Sequence, residues 1–405
     1  MEAFFSRFRK PLWGGMALYV LLAILLSACE PGGTGAAQDP PGCKTLGAQP
    51  VAATLPLPGQ PFQALPIFSN QWIFVSLSSQ NAASNGIAVL QQQGEQVCLK
   101  RVIELTGTPM GMALTEKGDL LLVADDDSVA VIDARQAEAQ TQGALLGYVR
   151  DKSTSGIVNV GIAEDESYAF AINENAGTLD VFDFQRIRAD DFNQDVQLAQ
   201  ISLGTGLLGM AVAQDSRYLY TTVGAQSEFA ASASTCAQEG KLEQIDLRRL
   251  KQDPKHMVVA RAAAGCDPGR VYLSADGATA WVTARGNSKI YAFNTLTLNS
   301  NPQGALVGSG TTGPEPVGLG IAQNGSLLLV ANSNCYAEPH KPQKLSVLDL
   351  RRVVEGGQSA LATLPIGACP REITVESDDQ TVLIANSGSN TLTLINAARL
   401  PKPKN

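Results

Sequence analysis

Cysteines are the most reactive side chains of this 405-residue chain, and six of the seven lie beyond its N-terminal region: Cys43, Cys98, Cys236, Cys266, Cys335 and Cys369. No Cys-x-x-Cys pair is present, and the same region holds only two histidines, so neither a structural zinc site nor a haem site is expected. We predict no cofactor. An even number of cysteines in an exported chain indicates disulfides, but their pairing stays open without a fold.

Asp125, Asp126 and Asp127 are three carboxylates in a row. Carboxylate oxygens are the ligands that hard divalent cations prefer in proteins. Three acidic residues in a turn are also a common solvated loop tip. The sequence therefore offers the trio as a metal-site candidate and leaves the metal unassigned.

Arg270, Arg285 and Arg371 are candidates for binding an anion, because guanidinium groups pair well with carboxylates and phosphates. Asn332 and Asn386 end apolar segments and could bind a carboxylate, a phosphate or a sugar beside them. Hydrogen bonding within each residue's own loop is the alternative. No Gly-x-Ser-x-Gly motif is present and no acidic residue stands out as a general base, so binding is favoured over catalysis.

The N-terminus has the pattern of an export signal: a basic start up to Lys10, then an apolar stretch that ends at Leu26. The tetrapeptide Leu26-Ser27-Ala28-Cys29 resembles the lipobox of bacterial lipoproteins. That resemblance implies cleavage before Cys29 and a diacylglycerol on its thiol. Residues 1–28 are thus predicted to be a signal peptide, and residues 29–50 a lipid-anchored tether rich in Pro and Gly.

The residue after the lipobox cysteine is Glu30. Lipoproteins that stay at the inner membrane usually carry Asp there, so the resemblance favours the outer membrane. We predict a cell-envelope protein, anchored by lipid on the periplasmic side. The net charge of −8 and the lack of a Lys/Arg cluster beyond the N-terminal region exclude a nucleic-acid partner.

One pattern recurs along the chain: an apolar segment, a turn, a second apolar segment and an alternating segment that ends in Asp or Asn. The turns are 48 to 61 residues apart, at Ser69, Lys117, Asp165, Asp215, Asp276, Asn324 and Asp378. Because the periodicity within segments is close to two, a helical solenoid is excluded. We predict an all-β fold, a seven-bladed β-propeller over residues 51–400, with a short tail at 401–405.

Two short runs after the third segments repeat, Asp246-Leu247-Arg248-Arg249 and Asp349-Leu350-Arg351-Arg352. Their equivalent places in the repeat predict turn chemistry, in which the Asp side chain accepts from nearby backbone amides.

Val330-Ala331-Asn332 and Ile384-Ala385-Asn386 resemble the core of the YVTN-type repeat, found in seven-bladed bacterial propellers of the lactonase-like group. The resemblance covers about residues 50–400. It implies that charged residues at the top of the central channel carry function, and it places the three arginines and two asparagines there. Propellers host many activities, so the resemblance does not select one.

The start of the propeller region predicts how the ring closes. Residues 53–58 echo residues 362–367, a fourth strand, so the segment around 51–57 should supply the outer strand of the last blade. Matching repeat positions then predict the disulfides Cys43–Cys98, Cys236–Cys266 and Cys335–Cys369, of which the last two join adjacent blades on the top face.

Together these observations favour a membrane-tethered, monomeric binding or scaffold protein that presents its disulfide-braced top face to an envelope protein or glycan. The alternative is a periplasmic lactonase-like hydrolase whose arginines orient a small anionic or sugar-derived substrate.

Overall fold

The computed structural model describes residues 39–67, 71–79, 85–139, 142–150, 156–192, 196–224 and 238–403. The predicted signal peptide, Cys29 and Cys236 lie outside these residues. No helix in the described part of the chain is long and apolar enough to cross a membrane.

Seven antiparallel sheets surround a central channel, and each is one blade of a β-propeller, as the repeat predicts. The first two strands in the chain are β1 (Cys43–Thr45) and β2 (Val51–Pro56). Blade 1 comprises β3 (Gln60–Pro66), β4 (Trp72–Ser78), β5 (Gly86–Gln93) and β6 (Gln96–Glu104). Blade 2 comprises β7 (Pro109–Leu114), β8 (Leu120–Asp125), β9 (Ser128–Asp133) and β10 (Leu145–Arg150). Blade 3 comprises β11 (Ile157–Ile162), β12 (Tyr168–Asn173), β13 (Thr178–Asp183) and β14 (Gln197–Ser202).

The remaining blades repeat the arrangement. Blade 4 comprises β15 (Met210–Val212), β16 (Tyr218–Val223), β17 (Lys241–Asp246) and β18 (Val258–Ala263). Blade 5 comprises β19 (Pro268–Leu273), β20 (Thr279–Ala284), β21 (Lys289–Asn294) and β22 (Leu306–Thr311). Blade 6 comprises β23 (Pro316–Ala322), β24 (Leu327–Asn332), β25 (Lys344–Asp349) and β26 (Ala360–Pro365). Blade 7 comprises β27 (Pro370–Val375), β28 (Thr381–Asn386) and β29 (Thr391–Asn396).

Apolar side chains on both faces of the middle strands hold neighbouring blades together. Every residue of β8 and of β24 is buried, because both faces of a blade pack against other blades. Leu329 of blade 6, for example, belongs to one apolar cluster with Ile373 and Ile384 of blade 7. The core therefore forms a ring of interfaces around the channel, and burial alone makes the blades mutually dependent.

The ring closes through strand β2. It pairs antiparallel with β29 from Val51 opposite Ile395 to Pro56 opposite Thr391, so the start of the propeller completes its last blade. The predicted closure is confirmed. Within the predicted tether, β1 pairs with β6 as a fifth strand of blade 1, so the folded unit begins before Val51.

Short helices follow the third strand of several blades: α1 (Ala134–Ala139), α2 (Phe184–Arg188), α3 (Thr295–Ser300) and α4 (Leu350–Glu355). Single 3-10 turns occupy Leu247–Arg249, Pro254–His256, Arg285–Asn287, Pro302–Gly304, Ser387–Ser389 and Ala397–Arg399. The Arg248 amide donates to Asp246 Oδ1 at 3.1 Å, and the Arg352 amide donates to Asp349 Oδ1 at 3.3 Å. The predicted turn chemistry is confirmed as helix N-capping.

Two disulfides lie wholly within the described residues, Cys43–Cys98 and Cys335–Cys369. Both are the pairings that the repeat predicts. Cys266 is also disulfide-bonded, and its predicted partner Cys236 lies outside the described residues. Cys43–Cys98 joins β1 to the outer strand of blade 1, whereas Cys335–Cys369 ties a loop of blade 6 to the first strand of blade 7.

Candidate functional site

A cavity of about 320 Å³ opens where the inner strands of the blades begin, at the top of the central channel. All seven blades contribute to its wall. A concave site with a few polar groups on an apolar wall is the usual form of a ligand pocket. We therefore describe this cavity as the candidate functional site.

The lower wall of the cavity is made by one repeated irregularity of the backbone. In most blades the inner strand starts opposite the last residue of the second strand and then shifts register, as at Pro370 opposite Asn386 before Ile373 opposite Ile384. Such a β-bulge re-aims side chains, and bulges recur beside functional sites. Six blades contribute a residue of their bulge to the cavity wall, and blade 4 contributes Leu208, which precedes β15. We call this set the bulge ring: Phe62, Met110, Val158, Leu208, Gly269, Val317 and Arg371.

The upper wall comes from a second repeated position, the residue that directly follows the second strand. Ser78 is the last residue of β4, and Glu174, Arg285 and Ser387 each follow the second strand of their blade. Tyr336, half exposed, reaches the same wall from the loop between β24 and β25. The cavity is thus built from equivalent positions of a repeat. Its chemistry depends on which blades carry a polar or charged side chain at these positions instead of an apolar one.

Arg371 is the charged member of the bulge ring. Its Nε donates to Ser387 Oγ at 3.1 Å, and Ser387 Oγ donates to the carbonyl of Cys369 at 3.0 Å. Within the described residues this guanidinium makes no other hydrogen bond and no ion pair. Desolvation by burial lowers the pKa of Arg371, and the nearby positive charges of Arg270 and Arg285 also lower it, whereas Tyr336 and Glu372 oppose the shift. A guanidinium in this state would gain from an added anion.

Arg270 lies one residue deeper and crosses the channel. Its guanidinium pairs with Glu372 of blade 7, donates from Nη1 to the Leu208 carbonyl of blade 4 at 2.7 Å, and lies 5.3 Å from the ring centroid of Phe62 of blade 1. Contacts with three blades other than its own place this group near the channel axis. Burial raises the pKa of Glu372, and the charge of Arg270 opposes that shift. The ion pair therefore forms a floor beneath the cavity.

The third arginine already has an acidic partner. Arg285 Nη2 donates to Asp267 Oδ1 at 2.8 Å, and only 9% of the Arg285 side chain is exposed. Arg285 and Arg371 oppose the rise that burial causes in the pKa of Tyr336. The structure thus brings all three predicted arginines to one cavity, but in different electrostatic states.

Glu174 is the acidic side chain among the cavity-lining residues. Desolvation raises its pKa, and the positive charges of Arg285, Arg270 and Arg371 oppose the rise. Within the described part of the chain its carboxylate makes no hydrogen bond and no ion pair. It faces the arginines without contacting them, which leaves room for a ligand between them.

Asn332 and Asn386, predicted beside the arginines, do not line the cavity. Asn332 Nδ2 donates to the Lys344 carbonyl at 2.8 Å and to Ser346 Oγ at 2.9 Å, and the Asn332 side chain is buried within blade 6. Asn386 Nδ2 donates to Thr393 Oγ1 at 2.9 Å. Both residues therefore follow the alternative interpretation, hydrogen bonding within their own blade. Each buried side-chain amide donates to groups of the neighbouring strand.

The acidic trio does not converge on one point. Asp125 is buried and its Oδ2 accepts from the Gly107 amide at 3.1 Å, whereas Asp127 forms an ion pair with Arg150 at 2.7 Å. Among the residues that the structure describes, no group of three His, Cys, Asp or Glu side chains could hold a metal ion. Separate hydrogen bonds direct these carboxylates apart, so the trio is not a metal cluster in this structure.

Sequence reasoning missed Glu174, Tyr336 and the apolar wall. Glu174 could have been found, because it follows the second strand of blade 3 as Arg285 follows that of blade 5. Tyr336 is adjacent to Cys335, whose disulfide was predicted. The apolar bulge residues could not be recognised from the sequence, since an apolar residue that faces a channel has the same sequence pattern as one in the core.

No protein-family model matches the chain, and no curated protein matches it. Solved structures similar in fold include Kuenenia stuttgartiensis hydrazine synthase, with a TM-score of 0.64 and 16% identity over 84% of this chain and 96% of that one. A chain in a structure of the mitotic checkpoint complex has a TM-score of 0.62 at 12% identity, over 85% of this chain and 93% of that one. The Cps50 (Swd1) β-propeller domain of Myceliophteria thermophila has a TM-score of 0.60 at 10% identity, over 84% of this chain and 97% of that one. At these identities the likenesses show that the chain has a β-propeller fold, and nothing about its ligand.

Proposed function

We propose that this chain is a lipid-anchored propeller of the cell envelope, related to the YVTN-type propellers, that binds an anionic ligand in its top-face cavity. The ligand is either free or carried by an envelope glycan or protein. The observation that carries the proposal is Arg371, a cation in the cavity wall that forms no ion pair with any described residue. A buried charge without a partner is costly, and an incoming anion removes that cost.

The test is anion-dependent stabilisation of the full-length chain, since a ligand that binds the folded state raises the melting temperature. Phosphate, sulfate and acetate are added to the wild type, to Arg371→Gln and to Arg351→Gln. Arg351 is an exposed residue of α4, paired at 3.9 Å with Glu355, and serves as the matched control. We expect stabilisation of the wild type and the control only. Equal stabilisation of Arg371→Gln, or none of any variant, contradicts the proposal.

Anchoring is tested separately by growing cells with an alkyne-tagged fatty acid. We expect the wild type to carry the tag and to sediment with outer-membrane fractions, because the proposed lipid is on the Cys29 thiol. Cys29→Ser should lose both properties. A tag that persists in Cys29→Ser rules out lipid attachment at this residue.

Glu174 supports a second candidate function, a periplasmic lactonase-like hydrolase. A carboxyl whose pKa is raised and which faces three arginines across a cavity could act as a general base toward a water molecule. Turnover of a panel of lactones by the wild type, with loss of turnover in Glu174→Gln, would support this function. Turnover that survives in Glu174→Gln would exclude the assigned base.

A further inference from the structure

The walls of the top-face cavity differ in polarity from one side to the other. Blades 1 to 4 present Phe62, Met110, Val158 and Leu208 from the bulge ring, and blade 6 adds Val317. Phe62 and Val158 are buried in this wall, and Met110, Leu208 and Val317 are partly exposed at the channel mouth. Exposed apolar area there is unfavourable unless something apolar covers it. A ligand that only carried charge would leave this wall uncovered.

The opposite wall offers one arginine that forms no ion pair within the described residues. Arg270 is paired with Glu372 and Arg285 with Asp267, whereas Arg371 has no acidic partner among the described residues. Charge complementarity therefore favours a ligand with one negative group. Arg371 uses its Nε to donate to Ser387, and its two Nη groups can donate to the two oxygens of a planar carboxylate.

The depth of the cavity is limited from below. The Arg270–Glu372 pair crosses the channel, and the inner strands of blades 6 and 7 approach closely at Gly318, where a Cβ would lie 2.7 Å from the Arg371 carbonyl oxygen. The volume of about 320 Å³ is at the small end of the range for ligand pockets, roughly 300–1,000 Å³. A chain-like or ring-like body of modest size fits this space, and a long polymer cannot pass through it.

From these three observations we infer that the cavity binds a small monocarboxylate with an apolar body, its carboxylate on Arg371 and its body against the wall of blades 1 to 4. This inference rests on the proposed anion-binding function and names the class of its ligand. Glu174, when protonated, faces the bound carboxylate as a hydrogen-bond donor, which suits a ligand of single negative charge.

The test is a calorimetric titration of the full-length chain in lipid nanodiscs, with empty nanodiscs as the blank. The probes are acetate, butanoate, hexanoate and octanoate, with octanamide as the uncharged match and octanedioate as the doubly charged one. Each added methylene should strengthen binding about fourfold until the cavity is filled. Octanamide and octanedioate should bind more weakly than octanoate.

Three variants locate the two ends of the ligand. Arg371→Gln should weaken octanoate about tenfold or more and leave octanamide unchanged. Val158→Thr, which keeps the shape of a side chain in blade 3, should weaken octanoate more than acetate because it adds a hydroxyl to the apolar wall. Arg351→Gln is the control. A single cooperative melting transition in buffer establishes that each variant is folded.

The outcomes separate this inference from the proposed function. Octanoate binding that grows with chain length and depends on Arg371 supports both. Binding of phosphate, sulfate or acetate that depends on Arg371, with no gain from chain length, overturns the apolar-body inference and leaves anion binding standing. Octanamide binding as tightly as octanoate overturns the carboxylate assignment. No binding of any anion overturns both.

Discussion

The two sides of the channel mouth differ in chemistry although the same backbone positions build them. The bulge of blade 2 presents Met110 and the start of blade 4 presents Leu208, whereas the bulge of blade 7 presents Arg371. The inner strands of blades 1, 2, 5, 6 and 7 make the same register shift, so the backbone does not distinguish these blades. The comparison teaches that the repeat supplies a scaffold of fixed positions, and that function lies where single blades depart from the repeated residue.

The described disulfides follow the same division. Cys335–Cys369 lies on the charged side, next to Tyr336 and close to Arg371, whereas Cys43–Cys98 joins the outer strands of blade 1, on the apolar side. One therefore holds cavity residues in place and the other fastens the edge of a blade. Four predictions test the comparison, from the largest expected effect to the smallest.

The first prediction compares the two disulfides. Replacing either pair by serines should lower the free energy of unfolding by about 4 kcal/mol, because the closed loops are similar in length, 34 and 55 residues apart in sequence. Only the Cys335→Ser, Cys369→Ser variant should also weaken octanoate binding, since it frees the loop that carries Tyr336. Chemical denaturation and calorimetry measure the two effects. Equal loss of binding in both variants would show that neither disulfide is specific to the cavity.

The second prediction concerns the ion pair that spans the two sides. Arg270→Met should destabilise the fold by about 3 kcal/mol, because it leaves the carboxylate of Glu372 without its partner at low exposure. The double variant Arg270→Met, Glu372→Met should recover most of that loss, since no unpaired charge remains. Denaturant unfolding of the two variants and the single Glu372→Met completes the cycle. Additive losses would mean that the pair is not coupled.

The third prediction compares one repeat position on the two sides, the last residue of the second strand. Blades 6 and 7 carry Asn332 and Asn386 there, and blade 2 carries Asp125. Burial raises the pKa of Asp125 to about 6 from an ordinary 3.8, and its Oδ1 has no hydrogen-bond partner among the described residues. A raised carboxyl pKa means that ionisation opposes folding. Stability should therefore fall as the pH rises from about 4 through about 6.

Asp125→Asn should remove that fall and stabilise the protein by about 3 kcal/mol above pH 7, with little gain near pH 4. The new amide can donate to the Ser128 carbonyl, as Asn386 Nδ2 donates to the Thr391 carbonyl at 3.2 Å. Asp190→Asn removes a carboxylate charge from an exposed residue that does not act on Asp125, and it is the control. Melting temperatures of the two variants and the wild type between about pH 4 and pH 7 measure the effect. If Asp125→Asn raised stability equally at every pH, ionisation of Asp125 would not be its cause.

The fourth prediction concerns Glu174 and Arg285, which follow the second strands of blades 3 and 5. Since burial raises the pKa of Glu174, carboxylate binding should strengthen a few-fold as the pH is lowered through that raised pKa and its negative charge is lost. The other charged or titratable groups that act on it are Arg270, Arg285, Arg371 and Asp267. Glu174→Gln should bind octanoate equally over the same pH interval. A slope that persists in Glu174→Gln would assign the pH dependence to another group.

Local sequence determined more of the fold than of the site. Alternating segments and turns at Asp165, Asp215, Asp276 and Asp378 sufficed to predict the blades, because each Asp accepts from the amide two residues on, as in the 2.9 Å bond from Arg217 to Asp215. The echo between residues 53–58 and 362–367 predicted the closing strand. The turns depend on backbone geometry that neighbours in sequence decide, whereas the closing strand was predicted from the repeated pattern of residues.

The sequence by itself also determined which residues carry charge: it singled out Arg270, Arg285 and Arg371, and they meet at one cavity. Only the tertiary structure decided that Arg371 alone among them lacks an acidic partner in the described chain, because Glu372 pairs with Arg270 of another blade and Asp267 pairs with Arg285. It also decided that Asn332 and Asn386 turn into their own blades, where adjacent strands offer buried acceptors. Residue type is local information, whereas the partner of a charge depends on contacts up to about a hundred residues apart, which exist only once the ring has closed.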